Sequence, residues 1–472
     1  MKRTKIICTV GPACADKATL KAMIEAGMNV ARFNFSHGDH AYHKQLMDLV
    51  KEVRTEMRQP IAIMLDTKGP EYRIRTFAEG KVMLEDGQRF SLTVEEVEGD
   101  RGRVSVSYKN MVKELAIGDT VLINNGLVRL EVEELTETDA VCRVIHGGEL
   151  SNRKSMSFPN KVLKQTYLSE QDKKDLLFGI ENDVDLIACS FVSTDRDVMD
   201  VRHFLEENGG RDIDLIAKIE NRSGVDNIDA IIKASDGIMV ARGDMGVEIP
   251  FEELPAIQKK LIRTCRLKGK RVITATEMLE SMVEKPRPTR AEISDVANAV
   301  YDGTSALMLS GETAAGKFPV EAVAAMARIA EQTEGNIDYV KRFRQSDFEI
   351  KNSIDAISHA AAALAINVDA KLVVVCSRSG KTARMVSRFR APKWILGMTT
   401  SEKQWRKLGL SWSVVPVLCP EEFQSTDVLF YHAMMEAKAS GLAKPGDSIV
   451  ITGGVTNGLS GNTSLIKVET LR

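Results

Sequence analysis

Ile216-Ala217-Lys218-Ile219-Glu220 and, roughly twenty residues on, Met239-Val240-Ala241-Arg242-Gly243-Asp244-Met245-Gly246 are two short apolar runs that each end in charge. In a strand, side chains i and i+2 share a face, so Lys218 and Glu220 point the same way and Asp244 reaches them from the end of the next strand. One cation and two carboxylates therefore converge. Two carboxylates on rigid strands suit a hard divalent ion such as Mg2+ (or Mn2+), which takes one or two protein carboxylates and completes its shell with water and phosphate oxygens. An ammonium beside it stabilises negative charge passing from one oxygen to another. An isolated Lys-x-Glu equally fits a pair of buried salt bridges, and the surrounding chain has to decide.

Eight short apolar runs alternate with helical patterns, at 4–10, 28–33, 61–65, 186–190, 214–219, 237–241, 271–276 and 306–309. The first connection is typical: Asp16 suits an N-cap, Leu20, Met23 and Ile24 form an apolar stripe, and Gly27 closes the helix. Eight strand-helix repeats predict an α/β fold built on a parallel (β/α)8 barrel, whose catalytic groups come from the carboxyl ends of the strands. Those ends carry Asn34-Phe35-Ser36-His37, Asp66-Thr67-Lys68-Gly69, Ser190, Thr276-Glu277 and Ser310-Gly311-Glu312-Thr313 besides the two opening stretches.

The rhythm breaks after the third run, where short alternating strands with Gly and Asp-Gly turns predict an inserted β-barrel lid. From about residue 352 a further strand-helix series predicts a small doubly wound α/β domain. The expected division is residues 1–70 for the first part of the barrel, 71–168 for the lid, 169–345 for the rest of the barrel and 346–472 for the C-terminal domain, with 341–348 as connector. The strand at 371–375 runs into Cys376-Ser377-Arg378-Ser379-Gly380-Lys381-Thr382 ahead of a helix, an anion-binding arrangement of backbone N–H groups and hydroxyls. It is not a Walker A loop, because Val375 stands in place of the first glycine.

The chain has 472 residues, 43% hydrophobic and 28% charged, and a formal charge of −2, which argues against nucleic acid as a partner. The start is not a signal peptide and no apolar run spans a bilayer, so a cytoplasmic protein with no membrane partner is expected. Seven scattered cysteines without Cys-x-x-Cys fit reduced structural thiols.

Taken in order, Cys8-Thr9-Val10-Gly11-Pro12, Asn34-Phe35-Ser36-His37-Gly38, Leu65-Asp66-Thr67-Lys68-Gly69-Pro70-Glu71, Lys218-Ile219-Glu220-Asn221, Ala241-Arg242-Gly243-Asp244, Thr274-Ala275-Thr276-Glu277-Met278-Leu279 and Arg287-Pro288-Thr289-Arg290-Ala291-Glu292 resemble the motifs of the pyruvate kinases from end to end. The resemblance implies a glycolytic enzyme with A, B and C domains, no long N-terminal extension, no extra C-terminal domain and a homotetrameric assembly. It implies transfer of phosphoryl from phosphoenolpyruvate to ADP, giving pyruvate and ATP, with Mg2+ and K+ as cofactors. Glu220 and Asp244 would hold Mg2+; Gly243 and Thr276 would touch phosphoenolpyruvate, Thr276 near the face where the enolate is protonated. Arg32 would pair with the phosphoryl group, which Lys218 would stabilise in transfer. Asn34, Ser36, Asp66 and Thr67 resemble the K+ site, and Glu71 resembles the K+-dependent forms. Asn34, His37, Arg73 and Lys154 would contact nucleotide. Ser377, Arg378, Ser379, Gly380, Lys381 and Thr382, with the glycine-rich Gly453-Gly454-Val455-Thr456-Asn457-Gly458, resemble a pocket for a phosphorylated allosteric effector, and Arg290 a subunit-interface region.

The chain departs from that pattern at Asn124-Asn125-Gly126, where a pair of aspartates is usual, and at Lys154-Ser155-Met156-Ser157 in the lid. Ser193 stands where arginine often follows Ser-Phe-Val, Ser305 where aspartate often follows Asp-Gly-Thr, and Thr166 where proline is common. Two other classes of function compete: a metal-dependent lyase or aldolase acting on 2-oxo acids, and a catalytically silent sugar-phosphate sensor.

Overall fold

The computed structural model describes residues 1–159, 161, 164, 166–420, 425–454 and 463–472. Eight parallel strands close into a barrel: β1 (Lys5–Thr9), β2 (Val30–Asn34), β3 (Ala62–Asp66), β4 (Leu186–Cys189), β5 (Asp214–Ile219), β6 (Gly237–Ala241), β7 (Arg271–Ala275) and β8 (Ala306–Leu309). These are the eight runs read from sequence, with ends shifted by a residue or two: several are shorter, while the second and third run one residue further, to Asn34 and Asp66. Asp16 caps the first helix by accepting from Thr19 N, and Gly27 ends it at φ 123°. Capping boxes at Ser169/Asp172, Thr194/Asp197 and Thr289/Glu292 start three of the later helices.

Period-two alternation stacks the barrel interior in layers. Ile7, Val30, Met64, Ala188, Ile216, Met239, Ile273 and Met308 fill the middle as one apolar cluster. Two residues on along several strands the same inward face turns polar, giving Thr9, Arg32, Asp66 and Lys218, all buried. The alternation that packs the core thus also aims the charged groups.

Between β3 and β4 the chain forms a curled seven-stranded sheet and a two-stranded ribbon of Lys81–Leu84 with Gly148–Ser151. Its apolar core is separate from the barrel's. Asn124, Asn125 and Gly126 all take left-handed φ, at 57°, 55° and 81°, in the turn between Thr120–Ile123 and Val128–Leu135. Asparagine tolerates that region better than other non-glycine residues. The two lid departures also bond to each other: Asn124 N donates to Ser155 O at 3.0 Å, and Ser155 Oγ to Asn125 Oδ1 at 3.1 Å.

The C-terminal sheet runs in the order Val414–Leu418, Trp394–Thr399, Leu372–Cys376, Ser448–Gly454, Thr463–Thr470. The fifth strand is antiparallel and was not legible as a strand; at the sheet edge, with only its first residue buried, it has no continuous apolar run. This unit docks on the amino end of the barrel, with Leu410 in the interior apolar cluster. Arg384 and Lys407 meet Asp214 at 3.1 and 2.8 Å, and Arg406 meets Asp185 at 2.8 Å. Burial pushes Asp214 up, but Arg271, Arg384 and Lys407 together hold it well below the usual carboxylate range.

Lys5 lies on the same interface, donating to Val414 O at 2.7 Å. Burial, reinforced by Lys2 and opposed by Glu334, lowers it to about 7. Between that value and the ordinary 10.5 the unfolded chain holds a proton that the folded protein has released, so this group makes stability rise with pH across the window and fall toward pH 7. The urea midpoint is expected to rise from pH 7 to pH 9.5 more steeply in wild type than in Lys5→Met; parallel midpoints would refute the buried-lysine account.

Candidate active site

At the carboxyl end of the barrel, Lys218 Nζ stands 3.1 Å from Asp66 Oδ1, 2.7 Å from Ser190 Oγ and 3.0 Å from Glu220 Oε1. Asp66 receives Arg32 on its other oxygen, Nε to Oδ2 at 2.7 Å, and Arg32 also donates to Thr9 Oγ1 at 2.8 Å. Arg32 is 7%, Lys218 8% and Glu220 0% exposed, so the cluster is nearly dry and its charges are weakly screened. Burial would raise Asp66, but Arg32 and Lys218 outweigh it and hold the carboxyl low. Burial works against the Lys218 cation, yet Asp66, Glu220 and Asp244 raise it above an ordinary lysine, so the ammonium stays charged. Burial pushes Glu220 up to about 7 against the pull of Lys218.

Glu220 Oε2 accepts from Phe191 N at 2.5 Å, whereas Oε1 accepts no aligned hydrogen bond. A buried carboxylate oxygen with spare lone pairs, facing an exposed Asp244 in the first turn of the helix Arg242–Glu248, fits a divalent cation. Among the described residues no group of three or more His, Cys, Asp or Glu converges, so the donor set suits an ion that takes few protein ligands and completes its shell with substrate and water.

Thr276 and Glu277 sit just beyond β7 at φ 67° and 53°. Two successive non-glycine residues in the left-handed region, one of them β-branched, are held there by their surroundings. Arg242 supplies the hold: Nη2 donates to Thr276 O at 2.7 Å and Glu277 O at 3.0 Å, while Nη1 grips Asp295 at 2.8 and 2.6 Å. Thr276 Oγ1 accepts from Gly243 N at 2.7 Å.

Asn34 pairs with Asp66 across β2 and β3, and its Oδ1 accepts from Ser36 N at 3.2 Å. Thr67 O and Oγ1 both engage Ser190, at 2.6 and 3.2 Å. Asn34, Ser36, Asp66 and Thr67 therefore lie on neighbouring strand ends. His37 is exposed, its carbonyl accepting from His43 Nε2 at 2.7 Å.

A cleft of about 280 Å³ between the curled sheet and the barrel is lined by Arg73, Asn125, Asn221, Asp244 and Glu248 among others. Arg73 clasps Glu71 at 2.8 and 2.9 Å, so these two candidates are mutually engaged. Lys154 is not among the cleft's lining residues; its carbonyl accepts from Ile74 N at 3.0 Å. In the C-terminal unit Ser377 N donates to Met398 O, Gly380 takes φ 67° at the start of the helix Lys381–Arg388, and Thr382 meets Thr463 at 2.5 Å. Arg378, Ser379 and Lys381 share that turn, while the glycine-rich stretch beyond Gly454 lies outside the described residues. Sequence reasoning gave no role to Arg242 and Asp295, and noticed Ser190 only as a strand end. For Arg242 and Ser190 the signal was position, since each stands at a strand end; Asp295, inside the helix Arg290–Asp302, carried none.

A closed parallel barrel with a dry cation-carboxylate cluster at its carboxyl end defines a class of barrel enzyme suited to anionic substrates. Residues 1–323 match the family model described as pyruvate kinase, barrel domain, and residues 355–469 the pyruvate kinase alpha/beta domain. The chain is 46% identical to a pyruvate kinase of Clostridium acetobutylicum, over 99% of both chains. It is also 46% identical to one of Sporosarcina psychrophila, covering all of this chain and 81% of that one. A crystal structure of a pyruvate kinase from Cryptosporidium parvum superposes with a TM-score of 0.95 at 37% identity, over 100% of this chain and 96% of that one. The chain belongs to the pyruvate kinase family, and the protein is an enzyme, a phosphotransferase.

Proposed function

We propose that the protein transfers the phosphoryl group of phosphoenolpyruvate to ADP at the carboxyl end of the barrel, with Lys218 as its central catalytic residue. The observation that carries this reading is the Lys218 ammonium held by Asp66, Ser190 and Glu220 at 3.1 Å or less in a nearly dry site. The bond from phosphorus to the enol oxygen breaks, a bond from phosphorus to a β-phosphate oxygen of ADP forms, and the resulting enolate takes a proton at carbon three to give pyruvate.

Each residue does its part through charge and position, because such transfer asks for little covalent work from the protein. Lys218 stabilises charge on the phosphoryl oxygens, and Asp66 with Ser190 fixes where that ammonium points. Arg32 grips the phosphoryl group with donors not spent on Asp66 and Thr9. Gly243 N and the Thr276 hydroxyl meet the substrate carboxylate, and Thr276 lies beside the face where the enolate is protonated. Glu220 and Asp244 would hold Mg2+ or Mn2+, which supplies charge neutralisation for the oxygens between which phosphorus moves. Asn34, Ser36, Asp66 and Thr67 would hold K+; Arg73, Asn34, His37 and Lys154 would meet nucleotide as the lid closes. The loop 377–382 would take a phosphorylated effector, and the assembly is a homotetramer.

Pyruvate formation from phosphoenolpyruvate and ADP with Mg2+, run in K+ and in Na+ and with ribose 5-phosphate, AMP or fructose 1,6-bisphosphate added in turn, tests the whole reading. Turnover is expected to need K+ and to respond to one phosphate ester. Rates equal in Na+ would reject the monovalent site, and no turnover under any combination would reject the reaction.

A further inference from the structure

We propose that a second anion site, separate from the strand-end site and from the 377–382 loop, lies where the barrel meets the connector to the C-terminal unit, and that it takes a small metabolite carrying two or more phosphate charges. A cleft of about 470 Å³ there is lined by Arg263, Arg266, Lys341 and Arg342 and by the carboxylates Asp338 and Asp347. Four cations less two carboxylates leave a formal excess of two positive charges. Asp338 is already committed as a helix cap, accepting from Lys341 N at 2.9 Å.

None of the four cations forms an ion pair among the described residues, although their neighbours do: Arg271 and Arg384 reach Asp214, and Arg388 reaches Asp355. A solvated basic face would account for the exposed Arg263 and Lys341, but not for what lies behind them. Arg266 Nε is buried without a partner, and among the described residues its side chain makes one long hydrogen bond, Nη2 to Ser346 Oγ at 3.4 Å. Deeper still, Arg390 is 3% exposed, donates among the described residues only to neutral oxygens of Ser387, Gly303 and Ser305, and also leaves Nε unpartnered. Ser305 offers Arg390 a neutral hydroxyl at 3.0 Å, and among the described residues no carboxylate forms an ion pair with that guanidinium.

Burial first, then repulsion from Arg342 and Arg263, lowers Arg266 to about 10. Burial and Arg266 lower Arg390 to about 9. Gathering like charges away from water costs free energy that a bound anion offsets, and guanidinium groups match phosphate oxygens two at a time. The cleft's volume falls in the range of metabolite sites, and Tyr301 on its wall offers an aromatic face. Arg263 and Arg266 ride on the helix Leu254–Lys268, Lys341 and Arg342 on the connector helix Tyr339–Gln345, so one ligand would tie barrel to connector.

The test is calorimetric titration of the full-length protein with pyrophosphate at fixed ionic strength. Wild type, Thr382→Ala and Lys218→Met are all expected to keep one equivalent that Arg263→Gln/Arg342→Gln weakens at least ten-fold. Ser305→Asp, which places a carboxylate beside Arg390, is expected to weaken the same equivalent and to raise the melting temperature without ligand. The exposed pair Arg263→Glu/Lys341→Glu reads the same equivalent if the glutamine pair does not fold. Wild-type stoichiometry and affinity in the arginine variants would overturn the site, as would loss of that equivalent in Thr382→Ala or Lys218→Met.

Discussion

Lys218→Met is expected to lower turnover at least about a thousand-fold while phosphoenolpyruvate still binds, because the charge acts mainly on the transition state. Methionine keeps most of the side chain's volume, so the core layer around Ile216 and Met239 stays filled. What disappears is a cation shared among Asp66, Ser190 and Glu220. Arg32 still holds Asp66, which should keep the barrel closed and the variant folded. Steady-state kinetics alongside direct substrate binding separates the two effects: a fall in turnover with a near-normal dissociation constant is the expected pattern. Turnover within ten-fold of wild type would remove Lys218 from the chemistry.

Arg242→Ala is expected to reduce turnover about a hundred-fold, the scale of loss produced by a displacement of about 1 Å in a reacting group. The guanidinium is a positioning group that ties Asp295 to the carbonyls of Thr276 and Glu277, both left-handed. Without it the strained pair relaxes, and the Thr276 hydroxyl leaves its 2.7 Å contact with Gly243 N. The variant also strands the half-buried Asp295, so the melting temperature should fall with the activity. A purely structural residue would lower stability and leave the turnover of the folded fraction intact. The decisive comparison is therefore turnover per folded molecule well below the melting transition, together with the split between kcat and KM. Full turnover per folded molecule would refute the positioning role.

Some motif residues turn out to serve architecture. Thr289 and Glu292 form a capping box, and Glu292 also takes Ser281 N and Oγ at 2.7 and 2.6 Å. Their place in the sequence motif reflects the need to start the helix Arg290–Asp302 and pin the loop before it, at least as much as any chemistry. Asn221, beside the Lys218-Ile219-Glu220 stretch, likewise caps its helix by accepting from Gly224 N at 2.8 Å.

The barrel was legible because each of its strands is a short run buried on both faces, and such runs stand out against amphipathic helices. The Lys218 and Glu220 alignment was legible for the same reason: period two is a local property of the chain. The pairing of Arg32 with Asp66, the Ser190 contact and the Arg242 clamp on Thr276 were not legible. They join residues 34, 28 and 34 positions apart, and only closure of the barrel brings those strand ends together. The antiparallel edge strand Thr463–Thr470 escaped because half its face is solvated.

By itself, then, the sequence determined the order of the strands, the residues that cap their helices and the strand ends where polar groups collect, all of which are set by propensity and period within a few residues. The tertiary structure decided which of those groups come within hydrogen-bonding reach, which carboxylate oxygen is left open, that Arg73 clasps Glu71, and that Arg263, Arg266, Lys341 and Arg342 near the connector pair with no carboxylate among the described residues. Electrostatics acts through space, falling off with distance and burial and not with separation along the chain, so these facts exist only once the barrel has closed and the C-terminal unit has docked.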